Sequence, residues 1–85
     1  MVAPMDKRAA TILAVVRAIP SGETLAYGEV ARRAGLPRRA RWVAKLLATA
    51  ADESLPWHRV LRSDGRIAFA EGSAGFHEQV RRLRA

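Results

Sequence analysis

Residues 27–50 hold two amphipathic segments separated by a glycine and a proline, and this pattern constrains the fold more than any other part of the chain. The first segment, 27–34, ends at Gly35, which supplies a turn, and Pro37 suits the first turn of a following helix. The second segment, predicted as a helix over 38–50, repeats apolar residues at helical spacing on one face and basic residues on another. Two short helices joined by a glycine turn predict a helix-turn-helix unit.

The two faces of the second segment differ in chemistry. Its predicted buried face comprises Val43, Leu46, Leu47 and Ala50. Its opposite stripe comprises Arg38, Arg41, Lys45 and Ala48. Leu36, in the turn, is predicted to be buried in the core. At the start of the first segment Ala26 takes the N-cap position and Glu29 follows three residues on, which is a capping box without its Ser or Thr.

A helix is predicted before this unit and a hairpin and a helix after it. Apolar residues recur at helical spacing over 7–18, where Asp6 can be the cap, and a turn and a short extended link follow. The Asp64-Gly65 pair predicts a hairpin between a strand over 58–62 and a return over 66–70. Three arginines of this predicted hairpin, Arg59, Arg62 and Arg66, would be available to contact phosphates, as in the wing of a winged-helix protein. A last helix over 74–84 is predicted from the apolar spacing of Phe76, Val80 and Leu83.

Composition limits the classes of function. The chain has 85 residues, enough for a single domain over 1–85, and 49% of them are hydrophobic, which indicates a folded chain. The absence of cysteine excludes disulfides, cysteine-ligated zinc and a thiol nucleophile. His58 and His77 give no metal-ligand spacing, so neither a metal nor a cofactor is predicted. The chain lacks a membrane-length apolar run and a signal-peptide pattern, and we expect a cytoplasmic monomer.

The charge is positive and unevenly distributed. The formal net charge is +7, and residues 32–66 carry nine basic against three acidic side chains. Such a concentration of positive charge in the middle of a small chain favours a polyanion partner, and nucleic acid above all.

Three stretches together resemble a known family. Residues 19–31 read Ile-Pro-Ser-Gly-Glu-Thr-Leu-Ala-Tyr-Gly-Glu-Val-Ala, 38–43 read Arg-Arg-Ala-Arg-Trp-Val, and 56–60 read Pro-Trp-His-Arg-Val. From about residue 8 to its end the chain is similar to the DNA-binding domain of the O6-alkylguanine-DNA alkyltransferases. In those enzymes the last motif is Pro-Cys-His-Arg-Val, and the Cys takes the alkyl group. With Trp57 at that position, the chain resembles the non-catalytic alkyltransferase-like proteins.

The resemblance implies a fold and a function. The fold would be mainly α with a short β-hairpin, a winged helix-turn-helix-like alkyltransferase domain. The protein would bind double-stranded DNA through the minor groove and flip O6-alkylguanine into a pocket. It would hold the lesion without dealkylation and flag it for nucleotide excision repair proteins. It would not be an enzyme, because dealkylation needs a thiolate and the indole of Trp57 has no usable lone pair.

The same resemblance assigns site residues by position. Tyr27 would press on the 3′ phosphate of the flipped nucleotide, and Arg41 would fill the vacated space in the base stack. The DNA-binding residues would be Tyr27, Arg38, Arg39, Arg41 and Lys45. The lesion pocket would be lined by Tyr27, Leu47, Trp57, Val60, Phe69 and Ala70. There would be no catalytic residue.

Some residues depart from the family pattern or have other predicted roles. Ala26 replaces the usual Ser or Thr, and Phe69-Ala70 stand where some members place an arginine on the pocket loop, so either of them can line the pocket instead. Trp42 is predicted to have a packing role and not to contact DNA. His58 is predicted to be hydrogen-bonded near the floor of the pocket, and His77 to be exposed to solvent on its helix. The alternative function is a winged-helix transcription regulator without lesion specificity, which would read sequence in the major groove.

Overall fold

The computed structural model describes residues 7–49 and 54–85, and it is mainly helical. The helices are α1 (Lys7–Arg17), α2 (Tyr27–Arg33), α3 (Ala40–Thr49) and α4 (Ala74–Arg84). Two short strands, β1 (Leu25–Ala26) and β2 (Val60–Leu61), pair in parallel. The predicted mainly helical fold class is therefore confirmed. The roles predicted for Asp6 and Ala50 lie outside the described residues, and within them no helix has the length and hydropathy of a membrane span.

The core lies between α1, α2 and α3. Helix α1 buries the apolar residues that recur at helical spacing, Ala9, Ile12, Leu13 and Val16, as predicted. Val30 and Ala31 of α2 and Val43 and Leu47 of α3 are buried as well. Leu36, Leu46 and Trp42 are partly buried and pack against this cluster, as predicted. The guanidinium of Arg8 lies 5.6 Å from the ring centroid of Trp42. The helix-turn-helix is thus fastened to α1 through one shared apolar cluster.

The turn after α2 has the hydrogen bonds of a Schellman motif. The Leu36 N–H donates to the Ala31 carbonyl at 2.8 Å, and the Gly35 N–H donates to the Arg32 carbonyl at 3.0 Å. Gly35 has φ of +78°, the left-handed conformation that this ending requires and that glycine adopts at low cost. The break predicted at Gly35 is confirmed.

Helix α3 begins two residues later than predicted. Arg38 has φ of +69°, which is incompatible with a right-handed helix, and the Arg39 N–H donates to the Leu36 carbonyl at 3.3 Å. A proline in the second position and a left-handed residue in the third are the pattern of a type II turn. Pro37 therefore belongs to this turn and not to the first turn of α3. A non-glycine residue held in this conformation is a local strain often found at functional sites.

The predicted two-stranded hairpin is wrong in its return strand. β2 pairs with β1, with Leu25 opposite Val60 and Ala26 opposite Leu61, and residues 66–70 form no strand. The turn itself is present, because the Arg62 N–H donates to the Arg66 carbonyl at 2.8 Å and Asp64 accepts the Arg66 N–H at 3.0 Å. The backbone of β2 is paired by the extended link before α2, and the segment after the turn leads towards Trp57 and α4.

Helix α4 matches its predicted range but not its predicted buried face. Ser73 caps it by accepting the Phe76 N–H at 3.2 Å. Leu83 is 37% exposed, whereas Gln79 is fully buried. The amide nitrogen of Gln79 donates to the carbonyls of His58 and Val60 at 3.0 and 3.1 Å. A polar side chain occupies the centre of this interface because two carbonyls of the facing segment need donors.

The N-cap of α2 offers a test of the helix start. Ala26 has the extended conformation of a cap residue, with φ of −74° and ψ of 151°, and its side chain accepts no hydrogen bond. We expect Ala26→Ser to raise the free energy of unfolding by about 1 kcal/mol, because a hydroxyl there can accept an N–H of the first turn. Thermal unfolding measures the change. Ala10→Ser, on the exposed face of α1, is the control that should not stabilise, and an unchanged melting temperature in Ala26→Ser would contradict the proposed cap.

Candidate nucleic-acid interface and base pocket

The helix-turn-helix presents four cations that no carboxylate of the described residues neutralises. Arg38, Arg39, Arg41 and Lys45 are exposed. Among the described residues, their side chains form neither a hydrogen bond nor an ion pair. They occupy the turn after α2 and the amino-terminal half of α3, so their charge is concentrated on one edge of the unit. Unpaired, exposed guanidinium and ammonium groups are the groups that bind phosphates most readily.

Other arginines of the chain are paired within their own helix. Arg32 and Arg33 contact the Glu29 carboxylate at 2.6 and 2.9 Å. Hydrogen bonds from these two arginines lower the pKa of Glu29 to about 2, so it remains ionised at neutral pH. One of the two positive charges of α2 is thereby compensated by Glu29, whereas α3 contains no acidic residue. The distribution of partners, more than the net charge, indicates which surface meets a polyanion.

The predicted wing contributes less than expected. Arg62 and Arg66 lie 3.6 and 4.0 Å from the Asp64 carboxylate, at the exposed turn. Arg59 is half-buried and donates to the Ile19 carbonyl at 2.9 Å, across 40 positions of sequence. Arg59 therefore joins the segment after Trp57 to the end of α1, and the prediction that it is available to phosphates is wrong.

Tyr27 is the first residue of α2 and directly follows β1. It is half-buried against the hydrophobic cluster, and desolvation by burial raises the pKa of its phenol. The group therefore stays protonated at neutral pH and can donate a hydrogen bond to a phosphate oxygen. The pairing of β1 with β2 ties the start of α2 to the segment that carries Trp57.

Trp57 begins a short 3-10 turn, Trp57–Arg59, and is surrounded by groups from three segments. The ring of Phe69 meets it edge-on at 6.0 Å between centroids, and the ring of His58 meets it at 6.2 Å. The Arg82 guanidinium lies 5.4 Å from its ring centroid. Arg82 therefore covers one face of the indole.

Glu78 fixes the position of Arg82. The Arg82 Nε donates to Glu78 Oε1 at 2.9 Å, one helical turn earlier on α4. Hydrogen bonds from Arg81 and Arg82 lower the pKa of Glu78 to about 2, so the pair stays charged at neutral pH. The Arg82 side chain is 28% exposed, against 69% for Arg81. Arg82 is therefore held against the aromatic group and is not a freely solvated charge.

The structure brings together some of the predicted pocket residues. Trp57 and Phe69 are in contact, whereas Leu47 and Val60 are buried members of the hydrophobic core. Ala70 is exposed, and its carbonyl accepts the Ser73 N–H at 3.0 Å before α4. Leu47 and Val60 can contribute to a pocket only as its floor, because their side chains already fill the core.

The prediction that the His58 side chain is hydrogen-bonded is wrong for the described residues. Its Nδ1 atom is buried and has no hydrogen-bond partner among them, and the Oε1 atom of Gln79 is likewise buried without a partner. Burial, and secondly the charges of Arg59 and Arg82, lower the pKa of His58. The imidazole is therefore neutral at pH 7. His77 is exposed, as predicted, and within 7–49 and 54–85 no three His, Asp or Glu side chains are grouped to hold a metal ion.

Sequence reasoning missed three contributors from α4. Gln79 holds the backbone on either side of Arg59, and Glu78 and Arg82 form the ion pair against Trp57. Gln79 follows Phe76 by three positions and precedes Leu83 by four, so it falls in the middle of the predicted apolar face. A polar residue at such a position is the signal that could have identified it.

A helix-turn-helix whose exposed cations have no partner among the described residues indicates a DNA-binding domain. Comparison with known families agrees. Residues 7–85 match the family described as 6-O-methylguanine DNA methyltransferase, DNA binding domain, and the chain belongs to that family.

The chain also has curated relatives of two kinds. It is 45% identical over 65 residues to a DNA base-flipping protein of Vibrio parahaemolyticus, which covers 75% of this chain and 65% of the relative. It is 39% identical over 80 residues to alkyltransferase-like protein 1 of Schizosaccharomyces pombe, which covers 93% of this chain and 74% of the relative. The chain thus spans about two thirds to three quarters of these two proteins.

Solved structures share the fold over nearly the whole chain. The S. pombe Atl1 complex with damaged DNA containing O6-carboxymethylguanine gives a TM-score of 0.85 at 37% identity, over 96% of this chain and 77% of that one. The Mycobacterium tuberculosis OGT complex with DNA gives a TM-score of 0.82 at 26% identity, over 95% of this chain and 50% of that one. Both similar proteins were solved bound to DNA.

Proposed function

We propose that this protein senses DNA damage by binding O6-alkylguanine, flipped out of the duplex through the minor groove, without dealkylating it. The observation that carries this proposal is Trp57, placed where the family's enzymes have their cysteine, in contact with Phe69 and covered on one face by Arg82. The likeness to an Atl1 structure bound to O6-carboxymethylguanine DNA supports the same assignment.

Docking on DNA would use the unpaired cations of the helix-turn-helix. Arg38, Arg39 and Lys45 are exposed and contact no carboxylate in 7–49 and 54–85, so phosphates can accept hydrogen bonds from them without breaking others within these ranges. The strained turn at Arg38 points to selection for the position of this side chain. Arg41, on the first turn of α3, would enter the duplex and occupy the space that the flipped base leaves.

Flipping would be driven by Tyr27 and Arg41 acting on opposite sides of the nucleotide. Tyr27 carries a neutral phenol at a fixed helix start, so it can press on and hydrogen-bond to the phosphate. Extrusion costs a few kcal/mol and less for a base that pairs poorly. Alkylation at O6 removes the N1 proton of guanine and weakens its pairing, which makes the lesion easier to extrude than guanine.

Retention would depend on stacking and apolar contact, without a reaction. The open face of Trp57 would stack on the base, Phe69 and Ala70 would line the side, and Leu47 and Val60 would form the floor. Transfer of the alkyl group needs a thiolate, and the chain contains no cysteine. His58, neutral beside Trp57, has no thiol to activate, so the protein would not be an enzyme.

A bound lesion that is not repaired in place needs a further step. We infer that the complex flags the damage for nucleotide excision repair proteins, and that the protein acts in the cytoplasm, associated with the nucleoid when it is bound to DNA. The family resemblance supports the first statement, and membership of a DNA-binding family supports the second.

The test is a titration of one duplex with O6-methylguanine against the same duplex with guanine, at fixed salt, by fluorescence anisotropy. We expect binding to the lesion duplex to be at least about tenfold tighter, or about 1.4 kcal/mol. Mass spectrometry of the protein after incubation should show no added alkyl mass. Equal affinity for the two duplexes would refute lesion sensing and would favour the winged-helix regulator, while an added alkyl mass would refute the non-enzymatic function.

A further inference from the structure

A cleft lies between the 3-10 turn and the end of α4, and its described lining includes no residue of the predicted lesion pocket. Its walls are the segment 21–24, the pair His58 and Arg59, and Arg82 with Leu83 of α4. Its volume is about 240 Å³, which is below the roughly 300–1,000 Å³ of pockets that enclose a whole small molecule. The cleft therefore has room for one side chain or a small ion.

Two arginines line this cleft, and both are held in place. Arg59 is half-buried, and its Nη1 donates to the carbonyl of Ile19 at 2.9 Å. The Nε of Arg82 donates to Glu78 at 2.9 Å, and the Arg82 side chain is 28% exposed. Both charges lower the pKa of His58, after the larger effect of burial, so the two guanidinium groups lie near the same imidazole.

The positive charge of the cleft is not balanced within 7–49 and 54–85. Arg59 forms no ion pair in these ranges, and Arg82 shares the single carboxylate of Glu78 with Arg81. The described lining contains one carboxylate, that of Glu23, which is exposed and forms no ion pair with a described residue. Two guanidinium groups and one carboxylate leave one positive charge, which a single monoanionic group would neutralise.

We propose that this cleft binds the carboxylate of an acidic side chain on a protein partner. A guanidinium group binds a carboxylate through two parallel hydrogen bonds, and one net positive charge favours a monoanion over a phosphate dianion. Leu83 lines the same cleft and is 37% exposed, so an apolar residue beside the acidic one gains a contact that a free carboxylic acid lacks. The proposal goes beyond lesion binding and does not depend on it.

The experiment titrates the isotope-labelled protein, without DNA, with a Glu-Leu dipeptide blocked at both ends. The amide chemical shifts of 21–24 and of Arg59 are followed by NMR. The uncharged Gln-Leu dipeptide, acetate and inorganic phosphate are titrated at the same ionic strength. We expect saturable shifts with a Kd of about 10 mM or tighter for Glu-Leu. Acetate and phosphate should bind at least about threefold more weakly, because they lack the apolar contact, and Gln-Leu should cause no shifts.

Two charge changes in the cleft have matched controls. Arg82→Gln should weaken Glu-Leu binding by about tenfold, as for the loss of a hydrogen bond to a charged group. Its control is Arg81→Gln, since Arg81 also pairs with Glu78 but is 69% exposed and outside the cleft lining. This control should change the Kd by less than about twofold. Glu23→Gln should strengthen binding by about threefold, whereas Glu71→Gln, an exposed carboxylate outside the lining, should not.

Three results would overturn the inference. One is the absence of saturable shifts at the cleft up to roughly 100 mM Glu-Leu. The second is equal weakening in Arg82→Gln and Arg81→Gln, which would indicate general attraction to a basic protein. The third is binding of acetate or phosphate as tight as that of Glu-Leu, which would assign the cleft to a free anion. Thermal unfolding checks that each variant is folded; should Arg82→Gln be unfolded, the comparison of Glu23→Gln with Glu71→Gln decides.

Discussion

Arg41→Ala is expected to weaken binding to an O6-methylguanine duplex by about 100-fold, because the few kcal/mol needed to unstack and extrude the base would no longer be offset. The fold should not suffer. Arg41 is exposed on α3 and forms no hydrogen bond or ion pair with a described residue, so its removal should change the free energy of unfolding by less than about 0.5 kcal/mol. Anisotropy titration and thermal unfolding measure the two quantities.

Arg39→Ala separates insertion from simple charge. Arg39 is a second exposed arginine, in the turn before α3, and it forms no hydrogen bond or ion pair with a described residue. We expect it to contact a phosphate and not to enter the duplex. Its loss should weaken lesion and guanine duplexes equally and reduce the salt dependence of log K by about 0.9, as for one phosphate contact. Arg41→Ala should in addition reduce the preference for the lesion. A folded Arg41→Ala protein with normal lesion affinity would remove its role in flipping.

Gln79→Met is expected to lower the free energy of unfolding by about 2 kcal/mol, because it removes the Gln79 donor from one buried and one partly buried carbonyl at nearly constant side-chain volume. Those carbonyls belong to His58 and Val60, at 3.0 and 3.1 Å from the Gln79 amide nitrogen. For a domain of this size the melting temperature should fall by about 8–16 °C. Thermal or denaturant unfolding measures the loss.

The effect should extend to DNA binding. Gln79 holds the backbone that carries Trp57, so a looser segment should weaken lesion binding more than binding to guanine DNA. His77→Met is the control, since it places the same side chain on the exposed side of α4 and should change the stability by no more than about 0.5 kcal/mol. If Gln79→Met unfolds at the wild-type temperature, the two hydrogen bonds do not hold this segment.

The ion pairs of the helices determine which arginines are available. Three charged clusters, at Glu29, Asp64 and Glu78, engage six arginines close to them in sequence. The cations of the turn before α3 and of α3 itself have no such partners in the described part of the chain. Pairing with carboxylates therefore reduces the availability of six arginines and leaves these cations available to phosphates.

Local periodicity determined the helices and much of the core. The spacing of apolar residues predicted α1 and the buried side of α3, because a helix on a core needs an apolar stripe along its sequence. Glu29, three residues after the cap position, predicted the start of α2. Gly35 predicted the end of α2 for a reason that is equally local. Trp57 likewise lies in one five-residue motif, residues 56–60, which by resemblance places it at the position of the family's cysteine.

Tertiary structure alone decided the partners of distant segments. The Asp-Gly turn predicted a hairpin, yet β2 pairs with Leu25–Ala26, because pairing depends on which backbone lies alongside in the folded chain. Likewise, Gln79 stands in an apolar row because two distant carbonyls need a donor, and Arg59 is tied to Ile19. The contacts of Phe69 and of Arg82 with Trp57 join the loop, the 3-10 turn and α4. Sequence spacing fixes what each segment can become, whereas these contacts depend on distances in space that no local pattern encodes.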